Sequence, residues 1–359
     1  MRVALITRAT LHKVPGGDTV QIEQTAGHLR QMGAQVDIIP SSSRINYSQY
    51  DLFHFFNIIR PADLLDHTKK CVKPYVVTPI LVDYSEYDRH HRKGISGFIL
   101  RRFSPSANEY IKTIGRWLMG KDQLVSKSYL LKGQQQSIRQ VLAKASWLLP
   151  NSLAEYHDLK TKFGTNTPYT IVPNGIDTSL FTPNPFVSRD PHLVICVARI
   201  EGIKNQLHLI RALNNTEFTL ILIGSTAPNQ HNYYTECRKL AAENIAFQHH
   251  LPHAALLQYY QKATTHVLPS WFETCGLSSL EAAATGCAVV ISDRGYARDY
   301  FGQDAFYCDP DDPASILDAI RKAAVNKNDG QLSKRITAAY TWEKAAAITL
   351  DVYQKILSH

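Results

Sequence analysis

At 359 residues the chain is long enough for two domains, each with a core of its own. Its 44% hydrophobic and 19% charged residues are ordinary for a globular protein, and no apolar run approaches the ~20 residues that span a bilayer. Six cysteines (71, 196, 237, 275, 287, 308) show no CxxC and no regular spacing, which argues against a disulfide frame or zinc site and for a reducing compartment. The formal net charge is +8, and one segment carries all of it. Tyr84 to Lys144 holds 12 Lys or Arg against 4 Asp or Glu, leaving the rest of the chain neutral.

Met1 to Ile6 is too short an apolar run for a signal peptide and reads as the end of a strand over 2–7, so the chain is expected in the cytoplasm. The loop Arg8–Pro15, then Gly16-Gly17-Asp18, leads into a helix with apolar Val20, Ile22, Ala26, Leu29 and Met32. Strand, glycine loop and helix opening make either a phosphate or sugar cradle or a plain tight turn. Val36–Ile39, Asp51–Asn57 and Pro74–Thr78 read as further strands. His54, on an apolar strand, reads as a satisfied buried histidine rather than a catalytic one.

Residues 85–144 interleave basic and bulky apolar positions at loosely helical spacing. Arg89 to Lys93 is followed by Ile95, Phe98, Ile99 and Leu100, then Arg101-Arg102, Ile111, Ile114, Trp117, Leu118 and Met119. Such a surface fits packed helices with solvated basic faces, or contact with anionic lipid or an acidic acceptor. No RNA-binding signature accompanies the charge, so nucleic acid is not an expected partner.

Ala145–Pro150 is a strand running into a capped helix that ends near Phe163, and Tyr169–Val172 reads as the last strand of the first domain. Proline-rich residues 183–191 mark a boundary. A strand from His192 to Val197 opens the second domain, with Arg199 and Lys204 just past its end. Two cations there can neutralise a departing diphosphate, but two basic residues five apart carry little signal by themselves. Further α/β alternation leads to the apolar run Thr265–Leu268. The stretch Pro269-Ser270-Trp271-Phe272-Glu273-Thr274-Cys275-Gly276-Leu277 follows, and then a helix over Leu280–Ala284. Glu273 and Glu281 thus straddle a strand's carboxyl end and a helix's amino end, where ligands of open α/β sheets bind. On pattern alone they are either acceptors for sugar hydroxyls or a solvated loop charge and a complement to the helix dipole. The carboxylates of Asp309-Pro310-Asp311-Asp312-Pro313 cap a helix over 314–325 more simply than they bind metal.

Ser270-Trp271-Phe272-Glu273, Gly276-Leu277, Leu280-Glu281-Ala282 and Gly286-Cys287-Ala288-Val289-Val290 resemble the E-x7-E signature of family 4 glycosyltransferases. Pro173-Asn174-Gly175-Ile176-Asp177 resembles that family's linker motif, and Arg199 with Lys204 its R-x4-K pair. Thr274 and Cys275 depart from the family's usual residues and put the donor sugar, not the family, in question. The resemblance implies an α/β GT-B fold of two doubly wound, Rossmann-like parallel-sheet domains facing across a cleft. Residues 1–173 would form the acceptor-side domain, with helix 343–359 crossing back onto it, and 174–342 the nucleotide-sugar domain. It implies a retaining, metal-independent transferase moving a sugar from a nucleoside diphosphate to an acceptor hydroxyl, in bacterial polysaccharide or glycolipid assembly. The nucleotide-sugar would be a substrate, and no cofactor is expected.

By the same resemblance, Arg199 and Lys204 hold the diphosphate with amides near Cys275, Gly276 and Leu277. Glu281 binds the ribose, Glu273 binds and orients the sugar, and Gly16 and Gly17 approach the donor. Asp83 fits the acceptor side of the family's His-Asp pair, but Val82 stands where the histidine would be. The partners implied are a nucleoside-diphosphate sugar and a glycan or lipid-linked acceptor, with 85–144 offering peripheral attachment to an anionic inner membrane face. An epimerase or phosphorylase of the same fold, and a non-catalytic anion- or membrane-binding module, remain open alternatives.

Overall fold

The computed structural model describes residues 1–92, 97, 101–326 and 330–358. The chain divides into two compact units. One comprises Met1–Val82, Phe98–Gly175 and Trp342–His359, and the other Asp83–Gly97 and Ile176–Thr341. Residues 83–97, which the sequence reading leaves in the first domain, therefore group with the second unit. Lys93, Ile95, Phe98, Ile99 and Leu100 of the basic-apolar segment lie outside the described residues.

In the first unit β1 (Arg2–Thr7), α1 (Gly17–Gln31), β2 (Gln35–Pro40), β3 (Leu52–Phe56), α2 (Pro61–Lys70) and β4 (Tyr75–Thr78) alternate. Two helices, α3 (Pro105–Leu118) and α4 (Tyr129–Ala143), precede β5 (Trp147–Leu148) and α5 (Leu153–Phe163). The strands form a parallel sheet in the order β2-β1-β3-β4-β5. Strands covered on both faces read as continuous apolar runs, which is why Leu-Phe-His-Phe-Phe of β3 is buried throughout. Pro150 has no N–H to donate and closes β5 after two residues. Tyr169–Val172, expected as a strand, consequently makes a single bridge from Tyr169 to Leu148. Its backbone is nonetheless tied alongside, Thr170 N–H to the Leu148 carbonyl at 3.0 Å and Val172 N–H to that of Pro150 at 2.8 Å.

The carboxy-terminal helix Trp342–Leu357 packs on α1 in this unit. It also satisfies His54, whose ring nitrogens lie 2.6 Å from the Tyr353 hydroxyl and 2.7 Å from Thr78 Oγ1. Burial pushes that imidazole down to about 3, so it is neutral and structural.

In the second unit β6 (Asp190–Val197), α6 (Gln206–Leu213), β7 (Thr219–Ile223), α7 (His231–Leu240), β8 (Ile245–Gln248), α8 (His253–Lys262) and β9 (Ala263–Leu268) succeed one another. They are followed by α9 (Leu277–Ala284), β10 (Ala288–Ser292), α10 (Arg298–Phe301), β11 (Phe306–Cys308), α11 (Pro313–Val325) and α12 (Gln331–Ala339). All pairings in the sheet β11-β10-β9-β6-β7-β8 are parallel. One core packs α6, α7 and α11 on one face, built on Leu209, Ile210, Leu220, Leu222 and Ile316. The other packs α8, α9 and α12 on the opposite face, built on Tyr260, Leu280, Val289, Ile291 and Ile336. The chain leaves β6 toward β7 and later returns to β9 on its other side. The switch point of the sheet is therefore the pair of carboxyl ends of β6 and β9.

Candidate functional site

The loops leaving β6 and β9 carry the residues singled out from the sequence. Past β6, Arg199 donates to Glu201 Oε1 at 2.8 Å and keeps 41% of its side chain exposed. A 3-10 turn over Gly202–Lys204 follows, and Lys204 Nζ donates to Glu273 Oε1 in the loop after β9. Burial works against the Lys204 ammonium, but the adjacent Glu273 carboxylate prevails and holds it above the ordinary lysine value. The switch point thus holds a cationic pair, Arg199 and Lys204, with the Glu273 carboxylate tied to one member.

The backbone around Glu273 is braced by close approaches that only glycine allows. A Cβ on Gly295 would lie 2.1 Å from the Glu273 carbonyl oxygen, and Tyr296 N–H donates to that oxygen at 2.8 Å. A Cβ on Gly224 would lie 2.0 Å from the Ala198 carbonyl, so the loops after β6 and β7 meet only because that residue is glycine. Asn205 Nδ2 donates to the carbonyls of Pro269 at 3.1 Å and Pro310 at 2.6 Å, clamping the turn that carries Lys204 onto the loop after β9.

Beyond Glu273 the chain passes buried Cys275 and enters α9 through Gly276, which adopts φ 67° at the N-cap with no side-chain cap. The first amides of α9, beginning at Leu277, therefore have no side-chain cap and follow Glu273 closely in the chain. Glu281 lies one turn on. It keeps some exposed area, yet its carboxyl is deep, and burial pushes it up to about 7. The Tyr260 hydroxyl of α8 donates to its Oε2 at 3.1 Å, which works the other way. Asp312 caps α11 by accepting from Ala314 N–H at 2.9 Å, as the carboxylates before Pro313 suggest.

The remaining sequence-selected residues stand elsewhere. Gly16 is the N-cap of α1 with φ −156°, an extended conformation, and Gly17 is the first helical residue. The loop before them is held by Arg8, bidentate to Asp18 at 2.6 and 3.0 Å and donating to the Val14 carbonyl at 2.7 Å. Asp83 Oδ1 accepts from Ser85 N–H at 2.9 Å, opening the segment 83–97. Of its basic run Arg89 and His90 are exposed, while His91 and Arg92 are engaged. Arg92 pairs with buried Asp88 at 2.7 Å, and His91 stacks on Trp271 with centroids 3.5 Å apart. Sequence reasoning missed Tyr260, Glu201, Asn205 and this docking. The local signals available for these close approaches are the glycines of the loops after β6, β7 and β10, Gly202, Gly224 and Gly295.

Among the described residues no group of three or more His, Cys, Asp or Glu is placed to hold a metal ion. No helix among them is long and apolar enough to cross a membrane.

Residues 182–342 match the family model Glycosyl transferases group 1. A glycogen synthase of Mycobacterium tuberculosis is 30% identical over 239 residues, which are 60% of this chain and 57% of that enzyme. The chain thus spans little more than half the length of that curated relative. Sucrose-phosphate synthase from Thermosynechococcus elongatus superposes over 100% of this chain and 99% of its own, with a TM-score of 0.76 at 16% identity. The Anabaena protein HepE, solved in complex with UDP and glucose, superposes over 99% and 100% with a TM-score of 0.70 at 14% identity. The chain therefore has the GT-B fold of two parallel-sheet α/β domains, and the stretch similar to the glycosyl transferases group 1 model falls in its second unit up to Thr341.

Proposed function

We propose that this protein is a retaining glycosyltransferase of the family 4 kind, moving a sugar from a nucleoside diphosphate to an acceptor hydroxyl. The observation that carries the reading is the convergence of Arg199, Lys204 and Glu273 on the sheet's switch point, inside the domain matched by the family model. Two fixed cations with the opening amides of α9 suit a diphosphate, and they stabilise it as it departs with its extra charge. That role is the one a divalent metal fills in other transferases, so the reaction is expected to run without one.

In this reading Glu281 accepts from the ribose hydroxyls, with Tyr260 setting its rotamer, and Glu273 accepts from hydroxyls of the transferred sugar. Cys275, Gly276 and Leu277 line the donor, and Gly16 and Gly17 bear on it as well. Asp83 belongs to the acceptor side. HepE was solved with UDP and with glucose, which supports a nucleotide-sugar donor here.

The acceptor is assigned to glycan or glycolipid assembly at an anionic membrane face. The support comes from α3 and its flanks, where Arg101, Arg102 and Phe103 are exposed before the helix, Trp117, Leu118 and Met119 at its carboxyl end, and Leu131 on α4. Only Asn108 of the fourteen residues of α3 is buried. Apolar side chains flanked by cations match an anionic lipid surface. Thermal shift of the protein with UDP-, GDP- and ADP-sugars tests the donor assignment. One class should raise the melting temperature, and no shift with any of them would contradict it.

A further inference from the structure

The segment Tyr84–Arg92 lies as a strap on the second unit, across the carboxyl edge of its sheet. Glu86 meets Arg294 after β10 at 3.2 Å. His91 stacks on Trp271 after β9 and meets His208 of α6 edge-on at 6.4 Å. Tyr87 packs on the turn after β6 so closely that a Cβ on Gly202 would lie 1.9 Å from its hydroxyl oxygen. Arg92 sits over the Tyr87 ring at 5.4 Å and is neutralised by Asp88. Between strap and turn is a pocket of about 130 Å³ bounded by Tyr84, Tyr87 and Arg92 on one side and by Glu201, Ile203 and Gln230 on the other. Gly202 also lines it, and its amide donates to Gln230 Oε1 at 3.4 Å.

We propose that this pocket between the strap and the Glu201–Ile203 turn is a subsite for an uncharged, polyhydroxylated ring. Its chemistry selects against the other ligand classes. An apolar ligand would take the polar edges of Glu201, Arg92 and Gln230 out of water while offering none of them a further hydrogen bond. An anion would meet the Glu201 carboxylate and an arginine already paired with Asp88. A sugar hydroxyl both donates and accepts, so it matches a carboxylate, a guanidinium and an amide placed around one cavity. Tyrosine rings supply the apolar surface that the C–H face of such a ring requires. The volume corresponds to roughly four waters at about 30 Å³ each, enough for part of one ring with the remainder open.

This inference rests on the glycosyltransferase reading, because Glu201 is bonded to Arg199 and adjoins the turn that carries Lys204. The ring is thereby set beside the proposed diphosphate site. It is either the sugar being transferred or an acceptor ring awaiting it.

The test is saturation-transfer NMR on the full chain with methyl α-D-glucopyranoside, methyl α-D-mannopyranoside and methyl α-D-galactopyranoside. At least one should receive saturation from the wild-type protein. Its dissociation constant should rise 5-fold or more in both Tyr84→Ala and Gln230→Ala, while nucleoside diphosphate binding by the same variants stays unchanged. Unchanged nucleotide binding also shows that the variants are folded. Displacement of the glycoside by a nucleotide sugar, but not by the nucleotide alone, identifies the ring as the donor's. Displacement by neither identifies it as the acceptor's. No saturation of any glycoside at millimolar concentration, or saturation unaltered in both variants, overturns the subsite. If glycosides bind but no nucleotide or nucleotide sugar does, the subsite stands and the transferase reading fails.

Discussion

Removing one member of the Lys204–Glu273 pair should cost more than any surface ion pair in the chain. The Glu273 side chain is 8% exposed and that of Lys204 22% exposed. Removing one partner of a buried pair costs about 3–5 kcal/mol, because the other charge is left unpaired away from water. The residual exposure of Lys204 lets water relieve part of this, which puts Lys204→Met near the lower end, about 3 kcal/mol. Glu273→Gln keeps a hydrogen-bond acceptor and should cost less. The double variant Lys204→Met/Glu273→Met should recover more than half of the sum of the single losses, because no charge is then stranded. The assay is calorimetric unfolding of the full chain, paired with titration of the nucleoside diphosphate. Lys204→Met should also weaken nucleotide binding by about 1.5–3 kcal/mol, roughly 10- to 100-fold, through loss of a charge-assisted hydrogen bond. Glu273→Gln should leave nucleotide affinity intact while lowering turnover. Additive stability losses in the double variant, or nucleotide binding by Lys204→Met at wild-type strength, would refute the reasoning.

Above about pH 8, where the Glu281 carboxyl raised to about 7 is ionised, Glu281→Ala should weaken nucleotide binding roughly 10- to 100-fold, the value of a lost hydrogen bond to a charged acceptor. Unchanged affinity by calorimetry would remove Glu281 from the ribose. Glu155 of α5 is buried, accepts from Leu81 N–H at 2.6 Å and is pushed by burial from an ordinary 4.5 up to about 7. Because its folded value lies above its unfolded one, the folded state holds a proton that the unfolded chain has released between those pH values. Stability should therefore fall by about 3 kcal/mol as pH rises from 4.5 to 7 and level off above. Glu155→Gln should flatten that slope, and an identical pH dependence in the variant would contradict the assignment. Arg101→Gln/Arg102→Gln with Trp117→Ser and Leu118→Ser should abolish pelleting with anionic liposomes at low salt. Each cation contributes at most about 1 kcal/mol there, and each apolar side chain about 1.5–3 kcal/mol. Pelleting equal to that of the parent would leave α3 a solvated face.

The alternation of apolar runs with helical periods was enough to read both sheets except the three-residue edge strand β11, because parallel strands buried on both faces announce themselves as runs such as Leu-Phe-His-Phe-Phe and Thr-His-Val-Leu. Arg199, Lys204, Glu273 and Glu281 drew notice because each lies at a strand's end or one turn into a helix, where an α/β sheet places its ligands, but position alone left a bland reading open and only the resemblance to family 4 glycosyltransferases gave them roles. What brings them together was not visible. The bonds from Lys204 to Glu273, Asn205 to Pro310 and Tyr260 to Glu281 join residues far apart in sequence, and no local pattern marks either partner. The run Arg89–Lys93 was legible only as charge. Arg89 and His90 are exposed, whereas Asp88 neutralises Arg92 and Trp271, 180 positions beyond His91, covers that ring. Tyr169–Val172 had strand composition but no full-length neighbour to pair with, since Pro150 ends β5.

The central claim is that Arg199 and Lys204 hold the diphosphate of a nucleotide sugar as it leaves, without a metal. It is tested most directly by incubating the protein with UDP-, GDP- and ADP-sugars in excess EDTA and measuring nucleoside diphosphate release. The account predicts release from one donor class at a rate that EDTA does not change, reduced at least 100-fold in both Arg199→Ala and Lys204→Ala. Release that vanishes in EDTA and returns with Mg2+ or Mn2+, or that survives in both variants, would contradict it.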